Sequence, residues 1–233
     1  MYDAAMTLGR RVRIGVLGGT FDPIHHVHLL MARAATRALG LDTVLFVPAG
    51  LPSHRGAAVV GPIADRCAMV GLALAGERRC ALSTVDAERP GPTYTIDTVA
   101  QLRVALGDSA ELYLIIGADN RANVTHWHRS PELLSRVHVV ALSRLGYSLV
   151  DPGLPRGQVT LVPTPCLDIS GTMIRTRIAA GRSVRHLTPD AVADYIAAHG
   201  LYLETESCPV TSQPPLSPQL APQGRRLLVE AGI

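Results

Sequence analysis

Eleven residues near the start of the chain, Gly18-Gly19-Thr20-Phe21-Asp22-Pro23-Ile24-His25-His26-Val27-His28, combine bare backbone with imidazoles. Paired glycines let an anion approach backbone N–H groups closely. His25 and His28, three positions apart, add donors on one side of a helical turn. Zinc binding is the competing use of two such histidines, but the glutamate of a His-Glu-x-x-His helix is missing. The pattern points to phosphate.

The flanking elements fit that use. Val12-Arg13-Ile14-Gly15-Val16-Leu17 is short, apolar and partly β-branched, which predicts a buried strand. Val27 to Leu39 is apolar almost throughout, with polar positions at Arg33, Thr36 and Arg37. Those three share one face of a helix, and Gly40 supplies its stop. A strand, a glycine turn and a helix present N–H groups and a positive helix end above the sheet.

Composition narrows the function classes. The 233 residues suffice for one substantial α/β domain, or a domain plus a tail. A net charge of +3 is spread along the chain, which suits small polyphosphates and gives little support for nucleic-acid binding. All 22 cationic residues are arginine. Without lysine there is no Walker-type phosphate loop, no Schiff base and no Lys-Met-Ser-Lys-Ser loop. Cys67, Cys80, Cys166 and Cys208 form no Cys-x-x-Cys pair, so a reducing cytoplasm is expected, with neither zinc site nor disulfide framework. No stretch approaches the roughly 18 apolar residues of a membrane span, and no N-terminal signal core is seen.

Further along, Thr43–Val47 reads as a second buried strand, ending in a Pro/Gly loop with His54 and Arg55 at its tip. Ile63 to Ala75 reads as a helix, followed by a strand around Cys80 to Val85. Thr93 is expected to cap a helix carrying Ile96, Val99, Leu102, Val104 and Leu106. Glu111–Ile116 is the clearest strand, and Gly117-Ala118-Asp119 leaves its carboxyl end, where parallel sheets bind ligands. The lone tryptophan, Trp127, sits in polar company and offers a flat ring for stacking. Val137–Leu142 and Gln158–Val162 complete the strands. Ser170 or Thr172 caps a helix running to Gly181, on which Arg177 faces away from Arg175. Thr188-Pro189-Asp190 is read as the cap of a last helix, Ala191–Ala198. Alternating strands and helices predict a parallel sheet covered on both faces, with right-handed crossovers.

The Gly18–His28 run resembles the Gly-Gly-Thr-Phe-Asp-Pro-Ile-His-x-Gly-His signature of bacterial nicotinate-mononucleotide adenylyltransferases, a branch of the His-x-Gly-His nucleotidyltransferases. Ten of its eleven residues fit, and Val27 stands where that family has glycine. The likeness covers residues 12–203 and implies a Rossmann-like single domain, between an N-terminal extension (1–11) and a Pro/Ser/Gln-rich tail (204–233) expected to be disordered. It implies adenylyl transfer from ATP, carried by magnesium, to nicotinate mononucleotide. Gly18, Gly19, Thr20, Phe21, His25 and His28 would hold ATP, His28 stabilising the transition state. Gly117 and Asp119 fall near the adenosine ribose, and Ile169, Ser170, Thr172 and Arg175 match the family's Ile-Ser-x-Thr-x-x-Arg phosphate motif. His25, His28 and Arg175 are thus the catalytic candidates. His54, Arg55, Thr95, Trp127 and Arg144 are the implied mononucleotide contacts. Ser53, Ser130, Leu145 and Gly171 also depart from the family pattern. Those departures, with Val27, leave room for a different phosphate monoester, such as a modified pyridine mononucleotide or nicotinamide mononucleotide, or for a catalytically weak nucleotide-binding protein. A homo-oligomer stays open.

Overall fold

The computed structural model describes residues 11–52, 59–107, 109–118, 124–143 and 157–203. The expected tail, together with His54, Arg55, Asp119, Arg144 and Leu145, lies outside them. Eight strands are present among the described residues: β1 (Val12–Gly19), β2 (Thr43–Pro48), β3 (Leu51–Pro52), β4 (Cys80–Leu82), β5 (Pro92–Thr93), β6 (Ala110–Gly117), β7 (His138–Leu142) and β8 (Val159–Val162). The α-helices are α1 (His26–Leu39), α2 (Ile63–Leu74), α3 (Thr95–Leu106), α4 (Ser130–Arg136), α5 (Gly171–Ala179) and α6 (Asp190–Ala198).

Six strands form one sheet in the order β4-β2-β1-β6-β7-β8, every neighbouring pair parallel. Strand order reverses between β1 and β6, which is the switch point where open α/β sheets bind ligands. The period-2 alternation of the strands sorts their side chains onto two cores. Leu17, Val44, Phe46, Ile115 and Val140 face α1, α2, α5 and α6. Ile14, Val16, Leu45, Leu114 and Val139 face α3 and α4. Both faces are therefore covered, as the near-continuous apolar strands require.

Three local expectations change. Thr93 does not cap α3: it lies in β5, paired parallel to β3 through Pro52, and its hydroxyl donates to the Leu51 carbonyl. Tyr94 occupies the cap position instead. Val104, on the opposite side of α3 from its core residues, is 88% exposed. Thr188 does not cap α6 either, because its hydroxyl donates to the Ile24 carbonyl at 2.7 Å and ties the segment before α6 to the β1–α1 turn. The arginines are also less evenly spread than the sequence suggests. Arg33, Arg37, Arg78 and Arg79 line one cleft with Glu77, at the amino ends of β2 and β4 and so away from the switch point.

Candidate active site at the sheet switch point

The β1–α1 turn emerges at the carboxyl end of the central strand. Among the described residues, a Cβ placed on Gly18 would meet nothing within 4 Å, so none of them calls for glycine there by packing. Gly19 differs, since its Cβ would lie 3.3 Å from the Phe21 ring. Phe21 holds a left-handed backbone (φ 48°) with its ring buried against Phe46. Few non-glycine residues accept that conformation, and such strain gathers where a loop is held for use. Thr20 stands half-buried between them.

His25 sits at the N-cap of α1, and its backbone N–H donates to Nδ1 of His28 at 3.2 Å. The two rings stack with centroids 3.8 Å apart, and the edge of Phe21 meets His28 at 4.9 Å. Because Nδ1 of His28 accepts, the neutral ring carries its proton on Nε2. That tautomer makes His28 a donor toward an anion. His25 is itself buried, at 6% exposure, with its ring stacked on that of His28.

The second phosphate-type segment packs directly on this turn. Ser170 is the N-cap of α5, its hydroxyl accepting from the Met173 N–H at 3.2 Å, while Ile169 packs on the core beside it. Arg175 donates through Nη1 to the Asp22 carbonyl at 2.6 Å and lies 3.7 Å from the Asp22 carboxylate. Its Nη2 approaches the exposed Thr172 hydroxyl at 3.4 Å. Gly171 is required there, because a Cβ would come within 2.7 Å of the Asp22 carbonyl oxygen. The start of α5 thus meets the loop that starts α1, and both helices aim N–H groups at the same end of the sheet. Arg177 points away, to the Ser183 carbonyl, as its spacing predicts.

The remaining candidates gather on the other side of the switch point. Gly117 closes β6 and is buried beside Leu142 of β7. Thr95 opens α3 one residue after Tyr94, whose ring lies 4.4 Å from that of His128. This contact draws the Thr95 and Trp127 segments together. Trp127 is half-buried against the α3 face of the sheet. Ser130 is no stacking residue here: it is 3% exposed and its hydroxyl donates to the Val124 carbonyl. The β3–β5 pairing brings the chain that enters residues 53–58 beside Thr93 and Thr95.

Sequence reasoning passed over the groups that hold these loops together. The Asp22 carboxylate accepts from the Val60 and Gly61 N–H groups at 2.8 and 3.0 Å and from the Tyr202 hydroxyl at 2.7 Å. Burial beside that negative charge pushes the Tyr202 phenol well up, so it stays a donor. Arg66, 1% exposed, reaches carbonyls of three different segments. Asp86, braced by the Thr98 hydroxyl and by Arg89, supports the chain at Gly50, and burial raises its carboxyl above the usual range. The presence of Asp22 in the Gly18–His28 run is the only one of these signals the sequence carries.

Among the described residues, no three His, Cys, Asp or Glu side chains gather to hold a metal ion. The donors at the turn and on α5 are N–H, imidazole, hydroxyl and guanidinium groups, which suit an anion. Asp22, the carboxylate at their centre, is already occupied by the partners above. These residues do not make a cage for magnesium, which would arrive on the phosphates of a nucleotide instead.

The chain is similar to known proteins over most of its length. Residues 16–177 match the cytidylyltransferase-like family model. A protein of Saccharopolyspora erythraea named "Probable nicotinate-nucleotide adenylyltransferase" is 48% identical over 195 residues, covering 84% of this chain and 92% of that protein. One of the same name from Acidothermus cellulolyticus is 44% identical over 203 residues, covering 85% and 98%. The solved nicotinic acid mononucleotide adenylyltransferase of Plasmodium falciparum, complexed with NaAD, shares the fold with a TM-score of 0.68. It is 17% identical, with 82% of this chain and 97% of that one covered.

Proposed function

The chain belongs to the cytidylyltransferase-like family and, within it, to the nicotinate-nucleotide adenylyltransferases, and on that premise we propose how its residues transfer the adenylyl group of MgATP to nicotinate mononucleotide. The enzyme is a nucleotidyltransferase of NAD biosynthesis. One 5′-phosphate oxygen of the mononucleotide forms a bond to the α-phosphorus of ATP. The bond from that phosphorus to the β-bridging oxygen breaks in line, and its electron pair leaves with pyrophosphate. The product is deamido-NAD.

A phosphate oxygen is already anionic at neutral pH, so no side chain has to remove a proton. The work is bringing two polyanions together and stabilising the charge that moves onto the leaving oxygen. Gly18, Gly19, Thr20 and the backbone of Phe21 cradle the triphosphate, and Nε2–H of His28 donates to it. Ser170, Thr172 and Arg175 take its β/γ side from α5, and Gly117 and Asp119 take the ribose. Thr95 and Trp127 receive the pyridine, and His54, Arg55 and Arg144 the mononucleotide phosphate. Magnesium is part of the nucleotide substrate. We assign this work to residues 12–203. We also assign it to the cytoplasm, a reading supported by Cys67, Cys80 and Cys166 all being free thiols.

The observation that carries the reading is the meeting of the two helix starts at Asp22, below the open space over Gly18. The Asp22 carboxylate is taken up by two backbone N–H groups and the Tyr202 hydroxyl, and two sets of donors face one place. The test offers MgATP with nicotinate mononucleotide, nicotinamide mononucleotide or no acceptor, and follows pyrophosphate. Release with the acid form supports the proposal. Release with the amide form only would change the substrate, and ATP binding without release under any condition would overturn catalysis.

A further inference from the structure

Arg66 lies in the first turn of α2, on a helix whose sequence gives no reason to bury a charge. Its guanidinium is enclosed, and four hydrogen bonds run from it to main-chain oxygens. Nη1 donates to the Thr20 carbonyl at 2.8 Å and to the Ala49 carbonyl at 2.7 Å. Nη2 donates to Gly50 at 3.2 Å, and Nε to Gly61 at 3.0 Å. Thr20 belongs to the proposed triphosphate turn. Ala49 and Gly50 lead into the loop proposed to hold the mononucleotide, and Gly61 is where that loop returns.

Close backbone packing marks both ends of the loop. A Cβ on Gly50 would lie 2.4 Å from the Asp86 carbonyl, and one on Gly61 would lie 2.6 Å from the Asp22 carboxylate. Both points are therefore anchored through backbone groups. A planar fork with five fixed donors can hold carbonyls arriving from several directions, whereas an ammonium group offers three donors at one point. Burial disfavours the charge of Arg66, and the Asp22 carboxylate favours it. Nothing in the transfer step uses Arg66 chemically.

We propose that Arg66 is a positioning residue, whose guanidinium sets the separation of the nucleotide turn at Thr20 from the acceptor loop leaving Ala49–Gly50. This rests on the adenylyl-transfer reading, since it assigns one substrate to each loop. Approach of the attacking oxygen to the α-phosphorus depends on both loops at once. A misplacement of about 1 Å costs on the order of 10²-fold in rate.

The experiment compares Arg66→Lys and Arg66→Met with wild type, measuring kcat and KM for each substrate beside the melting temperature. In both variants KM rises for MgATP and for nicotinate mononucleotide together, and kcat falls by about 10²-fold, with the lysine charge giving no rescue. A merely structural role would lower the melting temperature and the active fraction while leaving both KM values unchanged. That result, a change in one KM alone, or full rescue by lysine would overturn the proposal. If the methionine variant fails to fold, the lysine variant carries the test. A second readout needs no catalysis: in Arg66→Lys, amide exchange quickens together in peptides spanning Gly19–Phe21 and Ala49–Leu51, but not in α6. Wild type releasing no pyrophosphate would sink the adenylyl-transfer reading, and unchanged exchange at the two loops would sink the positioning role.

Discussion

Arg175 and Asp22, 153 positions apart, are joined by a 2.6 Å hydrogen bond from a guanidinium to a main-chain carbonyl. That bond fastens the start of α5 to the turn after β1. Arg175 is thus held in place before any nucleotide arrives, with its Nη2 side turned toward Thr172. If Arg175 holds the triphosphate as proposed, replacing it with alanine removes a charge-assisted contact worth ~2 kcal/mol and weakens MgATP binding about 30-fold. Calorimetric titration checks this, and affinity within a factor of two of wild type would contradict it.

Gly171 tests the same junction from its other side. Its missing side chain is what lets α5 approach the Asp22 carbonyl, which a Cβ would meet at 2.7 Å. Gly171→Ser puts the family's usual residue into this site. It should nevertheless destabilise the chain by about 2 kcal/mol, lowering the melting temperature by roughly 4–8 °C. It should also raise KM for MgATP. An unchanged melting temperature would show that the junction yields easily.

Val27 occupies the first turn of α1, half-buried, where the signature that the Gly18–His28 run resembles has glycine. Valine adds a branched side chain at the helix start that glycine lacks, while favouring the helix by ~0.5 kcal/mol over glycine. Val27→Gly should therefore lower KM for MgATP at a small cost in stability. Steady-state kinetics decides, and an unchanged or higher KM would refute the idea.

The thiols differ in a way that pH exposes. Burial pushes Cys67 and Cys80 up to about 11, so at pH 8 only about one in a thousand of either is thiolate. Cys166 is exposed. In a Cys208→Ala background at pH 8, one thiol, Cys166, should react rapidly with a disulfide reagent. The other two should lag far behind, and their rates should rise about tenfold per pH unit toward 11. Fast reaction of all three would contradict the raised thiols of half-buried Cys67 and Cys80.

Much of this architecture is legible in the sequence, and the exceptions share a cause. β6 announces itself as an apolar run, and α1 shows its solvent face at Arg33, Thr36 and Arg37, because both signals are local. The turn and the Ser170–Arg175 segment are legible as motifs, since phosphate binding needs particular residue types at fixed spacing. Thr93 misleads because a distant partner, Leu51, claims its hydroxyl before the helix does. Thr188 is lost to Ile24 in the same way. Arg66 is the plainest case. An arginine in an amphipathic helix reads as solvent-facing, and only carbonyls up to 46 positions away make its burial tolerable.

The central claim is that the β1–α1 turn and the start of α5 hold one triphosphate between them. Hydrogen exchange measured across a titration with a non-hydrolysable MgATP analogue tests it directly. The account predicts that amides in Gly18–His28 and in Ser170–Arg175 slow together, with one shared half-saturating concentration. Protection of one segment alone, or of the two at clearly different concentrations, would contradict it.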